Sequence, residues 1–315
     1  MARSVLVVAS DKKLVVGLIG CGNWGKNILR DLLTLDVEVH VVVVHITRTP
    51  ELLAMGANKV TTNIDDLSGV DGIVVATPVS TRAEVIGAAL NFDVPVFTEK
   101  PLTDNLVAAN KLATLAPNRL FVMDKWRYHP GVLTLKELVN SGKIGKPLGI
   151  RTTRTQWGSS HVDPDCTWML LPHDLSIALE IFGAIPEAKA SIAWLHQGLV
   201  VGLIGHLNFS DNKWMSVEVG VAVPGFNRRV EIVGEESCAV LAGGWLEEVI
   251  VTPTKIGSDP ISQTVFARGE LPLMSELRAF VEHLRGGPPP VSSVQEGMAN
   301  VRAISDLRTL AGLPQ

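Results

Sequence analysis

From Leu14 to about Asp124 the chain alternates short apolar runs with stretches in which apolar positions return every three or four residues. The runs "LVVGLI", "EVHVVVV", "GIVVAT", "VPVFTE" and "LFVMD" have the length of strands, and the stretches between them are amphipathic. In one such stretch Val85, Ala88, Ala89 and Phe92 fall at i, i+3, i+4 and i+7, a single stripe for a helix lying on a sheet. This grammar predicts βαβ units and a parallel sheet buried on both faces.

After Tyr128 the pattern changes. A helix is expected over "GVLTLKELVNSGKIG", followed by longer alternating segments such as "KWMSVEVGV", where Met215, Val217, Val219 and Val221 share one face. These read as antiparallel strands, separated by turn chemistry at "SDNK", "PGFN" and "AGG". Near the end, Leu277, Phe280, Val281 and Leu284 form one stripe, and Ser293 to Glu296 have the spacing of a capping box before a last helix. A unit boundary is expected near Asp124, dividing the chain into residues 1–124 and 125–315.

Length and composition narrow the function. At 315 residues the chain is long enough for two domains with a cofactor-sized cleft between them. With 28 Lys and Arg against 32 Asp and Glu, and no basic run, it offers no stripe for nucleic acid. The longest apolar runs are of strand length, so no membrane span is expected. The N-terminus lacks a secretory apolar region and reads as a short extension. The three cysteines are widely spaced, which fits neither a disulfide framework nor a zinc ribbon and points to a reducing, cytoplasmic setting.

The first chemistry is carried by "GCGNWG". Gly20, Gly22 and Gly25 form a G-x-G-x-x-G between a strand and a helix, with Asn23 and Trp24 inside it. Glycines there permit a tight turn, close approach of backbone to a pyrophosphate and close helix–strand packing, while free helix N–H groups face the anion. An NAD site would carry an acid at the end of the second strand. Here that strand runs into His45, Ile46, Thr47 and Arg48, and a guanidinium without a carboxylate favours NADP over NAD.

Downstream lie "VVATPVSTRAEVIGAAL", "VPVFTEKPLT", "RYHP", "SGKIGKPLGIR" and "LPHDLSIALEIFG". With the glycine loop, and in this order, they resemble the Gfo/Idh/MocA oxidoreductases across nearly the whole chain. The resemblance implies an α/β protein: an N-terminal Rossmann unit with a doubly wound parallel sheet, then a C-terminal α/β unit with a large open, mainly antiparallel sheet. It also implies hydride transfer between a nicotinamide cofactor and a sugar, cyclitol or sugar-nucleotide hydroxyl. A homodimer or homotetramer formed through the C-terminal sheet is a further implication.

Residue by residue, Ala76, Thr77 and Pro78 match the family segment beside the cofactor, and Glu99, Lys100 and Pro101 match its signature. Lys100 follows a strand end, where its ammonium can hold a substrate oxygen and stabilise developing negative charge. His173 matches the catalytic histidine. Pro172 to Asp174 are expected around the first turn of a helix, whose dipole would keep the imidazole neutral and fit to act as a base.

Two departures stand out. Met169 occupies the place of an aspartate four residues before the histidine, leaving Asp174 or Asp165 as the expected partners of His173. Arg82 stands where relatives carry histidine. Trp126, Arg127, Tyr128, Trp157 and Asp165 are candidates to line a substrate cleft, with core packing the alternative for the two tryptophans. His161, Asp163, Asp165, Cys166 and His173 match no closed zinc spacing, so no metal is expected. A non-catalytic cofactor-binding regulator or scaffold of the same fold is the alternative function, and Met169 is the feature that favours it.

Overall fold

The structure, a computed structural model, describes residues 13–158, 165–254 and 261–314. Strands β1 (Val15–Ile19), β2 (Glu38–Val42), β3 (Lys59–Thr61), β4 (Gly72–Val75), β5 (Val96–Glu99) and β6 (Leu120–Met123) form a sheet in the order β3-β2-β1-β4-β5-β6, with every pairing parallel. Helices α1 (Asn23–Leu33), α2 (Thr49–Ala54), α3 (Val79–Ala89) and α4 (Leu106–Leu115) connect them. The five apolar runs predicted as strands become β1, β2, β4, β5 and β6. β3 is only three residues long, too short to leave a period in the sequence.

The predicted stripe on α3 is rotated. Val79, Arg82, Ile86 and Ala89 face inward, while Val85 and Ala88 are half-buried. The rotation carries the Arg82 guanidinium beneath the strand ends, where it finds carbonyl partners.

Helix α5 (Pro130–Asn140), with Pro130 at its first position, leads into the other sheet. Strands β7 (Pro147–Trp157), β8 (Glu187–His196), β9 (Leu199–Asn208), β10 (Trp214–Gly220), β11 (Ala222–Gly234), β12 (Ser237–Leu241), β13 (Glu248–Pro253) and β14 (Gln263–Phe266) form the other sheet, ordered β14-β13-β12-β11-β7-β10-β9-β8. All its pairings are antiparallel except β7 with β10, so the sheet is mainly antiparallel as expected. Met215, Val217 and Val219 of β10 are fully buried on one face, where helix α6 (Cys166–Phe182) packs.

Helices α7 (Pro272–Leu284) and α8 (Val294–Leu310) close the chain. The capping box that opens α8 has both halves: Ser293 accepts from the Glu296 N–H, and the Glu296 side chain accepts from the Ser293 N–H. Helix α7 returns to the parallel sheet beside α1, burying Leu277, Phe280 and Val281 in a core with Leu18, Ile28 and Val74. The opposite face of that sheet begins a second core, which runs through α4, α8 and α6 into the antiparallel sheet without a break.

Phe280 is fully buried and stacks on Phe97 with ring centroids 5.0 Å apart. Truncating it leaves a cavity under the central parallel strands. Phe280→Ala is expected to lower stability by about 3–5 kcal/mol, read as an earlier urea unfolding midpoint than wild type.

Candidate active site

Strand β1 ends at Ile19, and the three glycines that follow shape a cradle. At Gly20, with φ of 90°, an added Cβ would lie 2.6 Å from the Ala76 carbonyl oxygen. On α1, a Cβ at Gly25 would meet the Gly20 carbonyl at 2.5 Å, so only glycine lets this helix approach the strand so closely. Gly22 faces open space and caps α1 without any side chain, leaving first-turn N–H groups to a ligand. The cradle fits a dinucleotide pyrophosphate.

These glycines line a cavity of about 800 Å³ with Asn23, Trp24, His45, Arg48, Ala76, Thr77, Pro78, Glu99, Lys100 and His173. Thr47 is exposed and does not line it. Arg48 donates to the Cys21 carbonyl at 2.7 Å and lies 3.4 Å from Glu51, which ties the glycine loop to the end of β2.

Arg82, the second departure, is a staple. Its buried guanidinium donates to the carbonyls of Thr77 (2.7 Å), Glu99 (3.1 Å) and Pro101 (2.5 Å), binding the loops after β4 and β5 to each other. Burial pushes its pKa down to about 10, so the charge persists at neutral pH.

Lys100 lines this cavity, and its Nζ donates to the main-chain carbonyl of Met169 at 3.0 Å. Burial pushes its pKa down to about 8, against the opposing pull of Glu99. At Met169, therefore, it is the backbone and not a side-chain acid that meets the lysine.

His173 does not sit in a first helical turn. Helix α6 starts at Cys166, capped by Asp165, and Pro172 lies inside it. A helix terminus therefore does not account for a neutral imidazole. Its pKa is held well below 6.5 by burial first and then by Lys100, Arg154, Lys125 and Arg228. Pro172 removes one N–H from the helix ladder in the turn that brings Met169 and His173 to the cavity.

Neither expected acid serves this ring. The carboxylate of Asp174 is buried against Arg154, with bonds of 2.9 and 3.3 Å. Asp165 accepts from Thr167 and from Arg308, the latter at 2.7 Å. His173 Nδ1 is buried and has no hydrogen-bond partner among the described residues. Asp165 does not line this cavity. His161 and Asp163 fall outside the described residues.

Three other substrate candidates are placed elsewhere. Arg127 binds Glu180 at 2.8 Å and Glu296 at 3.2 Å, and the Tyr128 hydroxyl accepts from the Val291 N–H at 3.1 Å. Both fasten the turn after β6 to the segment before α8. Trp157 is 73% exposed at the end of β7.

A second cavity, of about 500 Å³, joins the first at Trp24, Asn27, Lys125 and His173. Its walls hold residues that periodicity alone did not single out: Lys125, His129, Arg154, Arg228 and Trp245. Lys125 lies 4.2 Å from the Trp24 ring centroid, and Trp24 Nε1 donates to Glu99. Arg154 lies 4.3 Å over Trp126, which also stacks on His129. His129 Nδ1 accepts from the Gly131 N–H, so the proton is on Nε2, facing the Gly244 carbonyl at 3.0 Å. The signal for Arg154 was a charged residue at a core-facing position of a strand, legible only once the strand's faces are known.

The family model described as "Oxidoreductase family, NAD-binding Rossmann fold" matches residues 14–122, and the "GFO/IDH/MocA C-terminal domain" matches residues 132–240. The chain is 28% identical to an inositol 2-dehydrogenase of Acidothermus cellulolyticus, with 93% of this chain and 91% of that one covered. In fold it is similar to a UDP-N-acetylglucosamine 3-dehydrogenase of Acidithiobacillus ferrooxidans, with a TM-score of 0.84, 19% identity and coverage of 96% and 100%. It is similar as well to a levoglucosan dehydrogenase solved with NADH and levoglucosan, with a TM-score of 0.85, 17% identity and coverage of 96% and 100%.

Arg154 and Asp174 are both almost fully buried, so removing one partner strands the other's charge. Asp174→Ala is expected to cost about 3–5 kcal/mol, measured by urea unfolding. Asp174→Asn, which keeps an acceptor, should cost less.

Proposed function

The chain belongs to the Gfo/Idh/MocA oxidoreductase family, and on that premise we propose that it transfers a hydride between a nicotinamide dinucleotide and a carbinol carbon of a sugar, cyclitol or sugar nucleotide. The observation that carries this reading is the convergence of Lys100 and a neutral His173 on one cavity opposite the glycine loop. Relatives named for inositol, levoglucosan and a UDP-sugar supply the substrate class.

When bound, the dinucleotide supplies the hydride acceptor or donor. Everything else falls to side chains of this chain. The substrate hydroxyl lies between Lys100 Nζ and His173. Because Nδ1 is shut off, Nε2 takes the hydroxyl proton. The Lys100 ammonium stabilises the alkoxide as it develops. Its bond to the Met169 carbonyl aims the ammonium without neutralising it. In the reductive direction His173 returns the proton.

Arg48, which lines the cavity after the end of β2 and shares its guanidinium with Glu51 at 3.4 Å, supports a preference for NADP. The face of the antiparallel sheet turned away from its helices carries Ile192 and Ile204, cross-strand neighbours that are 66% and 43% exposed. These support a homodimer or homotetramer through that sheet.

Arg48→Ala is expected to weaken NADP binding by about tenfold while leaving NAD within about twofold, as measured by titration calorimetry. Tighter binding of NAD by wild type would overturn the preference and leave the dinucleotide site intact.

Lys100→Ala and His173→Ala are each expected to lower kcat by about a hundredfold or more, with dinucleotide affinity unchanged. The pH profile gives a second reading. The Lys100 charge is present below its pKa and lost above it, so kcat/KM for oxidation should fall as the pH rises through about 8. The acid limb, set by protonation of His173, should lie well below 6.5. Variants that turn over at the wild-type rate with a substrate of this class would refute the assignment.

A further inference from the structure

Arg154 on β7 and Arg228 on β11 are directly opposite in the antiparallel register, and both line the second cavity beside His173. Like charges at such a pair repel, and folds ordinarily avoid or neutralise them. Here one carboxylate, Asp174, is shared between two guanidiniums, and its hydrogen bonds go to Arg154. Among the described residues the hydrogen-bond and ring partners of Arg228 are neutral groups: the carbonyls of Thr155 and Asn227, the side-chain oxygen of Gln156, and the ring of Phe226 at 3.9 Å. Burial and Arg154 push its pKa down to about 10, so it remains charged at neutral pH. The acids on the same cavity wall are engaged or remote: Asp31 pairs with Arg30, Glu270 pairs with Arg278, and Glu247 is exposed.

Lys125 adds a third positive charge where the two cavities meet. The imidazole of His173 feels all three. A guanidinium with no carboxylate hydrogen-bonded to it among the described residues, within electrostatic reach of the proposed base, is a recognition element for an anion.

We propose that the substrate is anionic, a sugar or cyclitol bearing a carboxylate, and that Arg228 holds that carboxylate while the reacting hydroxyl lies against Lys100 and His173. The guanidinium fork matches a planar carboxylate. Phe226 and Trp245, both largely exposed at the cavity mouth, offer apolar faces to the ring's C–H groups. The inference rests on the hydride-transfer reading above, which by itself is indifferent to substrate charge.

The test is equilibrium binding of galacturonate and glucuronate against galactose and glucose, followed by tryptophan fluorescence on the dinucleotide-loaded protein, with oxidation read by NAD(P)H absorbance. Wild type should bind the sugar acids at least about tenfold more tightly than their neutral counterparts. Arg228→Gln should erase that advantage and leave neutral ligands within about twofold, and Arg228→Lys should retain part of it. Because Arg228 opposes Arg154, the Gln variant should melt no lower than wild type, which separates lost recognition from lost folding. Galactose 1-phosphate serves as a further arm, and a preference for it over galacturonate would overturn the carboxylate in favour of a phosphate. Equal binding of acids and neutral sugars, or selectivity that survives Arg228→Gln, would overturn the proposal. Selective binding of acids, lost in Arg228→Gln, with no oxidation by the loaded protein would uphold Arg228 as a carboxylate site and count against the hydride-transfer reading.

Discussion

One charge-assisted hydrogen bond, from Lys100 Nζ at the end of the parallel sheet to the carbonyl of Met169 on α6, joins the unit that holds the glycine cradle to the helix that carries His173. It sets the ammonium against the backbone one helical turn before the imidazole. Helix α6 supplies the complementary constraint. All but three of its 17 residues are buried, and two of those three, Met169 and His173, are the ones that reach the cavity. A helix packed so completely can hold an imidazole in place without an acid behind it.

The departures from the family's pattern become intelligible on this frame. The thioether of Met169 replaces an aspartate, and the neutral state of His173 is then maintained by burial and by surrounding positive charge. Arg82 binds the loops after β4 and β5 through three carbonyls, so it shapes the cavity wall without spending its charge on a carboxylate. Both changes move control of the site from paired side chains to the main chain and the local field.

Charge is concentrated around the cavities at some expense to stability. Burial pushes Asp124 up to about 7 and Glu276 well above its ordinary range, and it pushes Lys125 down. Such groups persist where function needs a field. Asp174 is raised by burial as well, against the pull of its partner Arg154.

The parallel and antiparallel halves, the cradle of Gly20, Gly22 and Gly25, the capping box at Ser293 and the positions of Lys100 and His173 were legible in the sequence. Each rests on local periodicity, backbone freedom or a short motif. The start of α6 was not, because Pro172 signals a first helical turn as readily as an internal kink, and only packing on β10 decides between them. Nor could the sequence say that Asp174 faces Arg154, that Arg127 and Tyr128 fasten a loop, or that Arg154 and Arg228 meet across two strands. Those residues are separated by 20 positions or more along the chain, and register between distant strands is set by the whole sheet and the helices on it. Local chemistry determined which groups this protein has available, and tertiary structure alone decided which of them face one another.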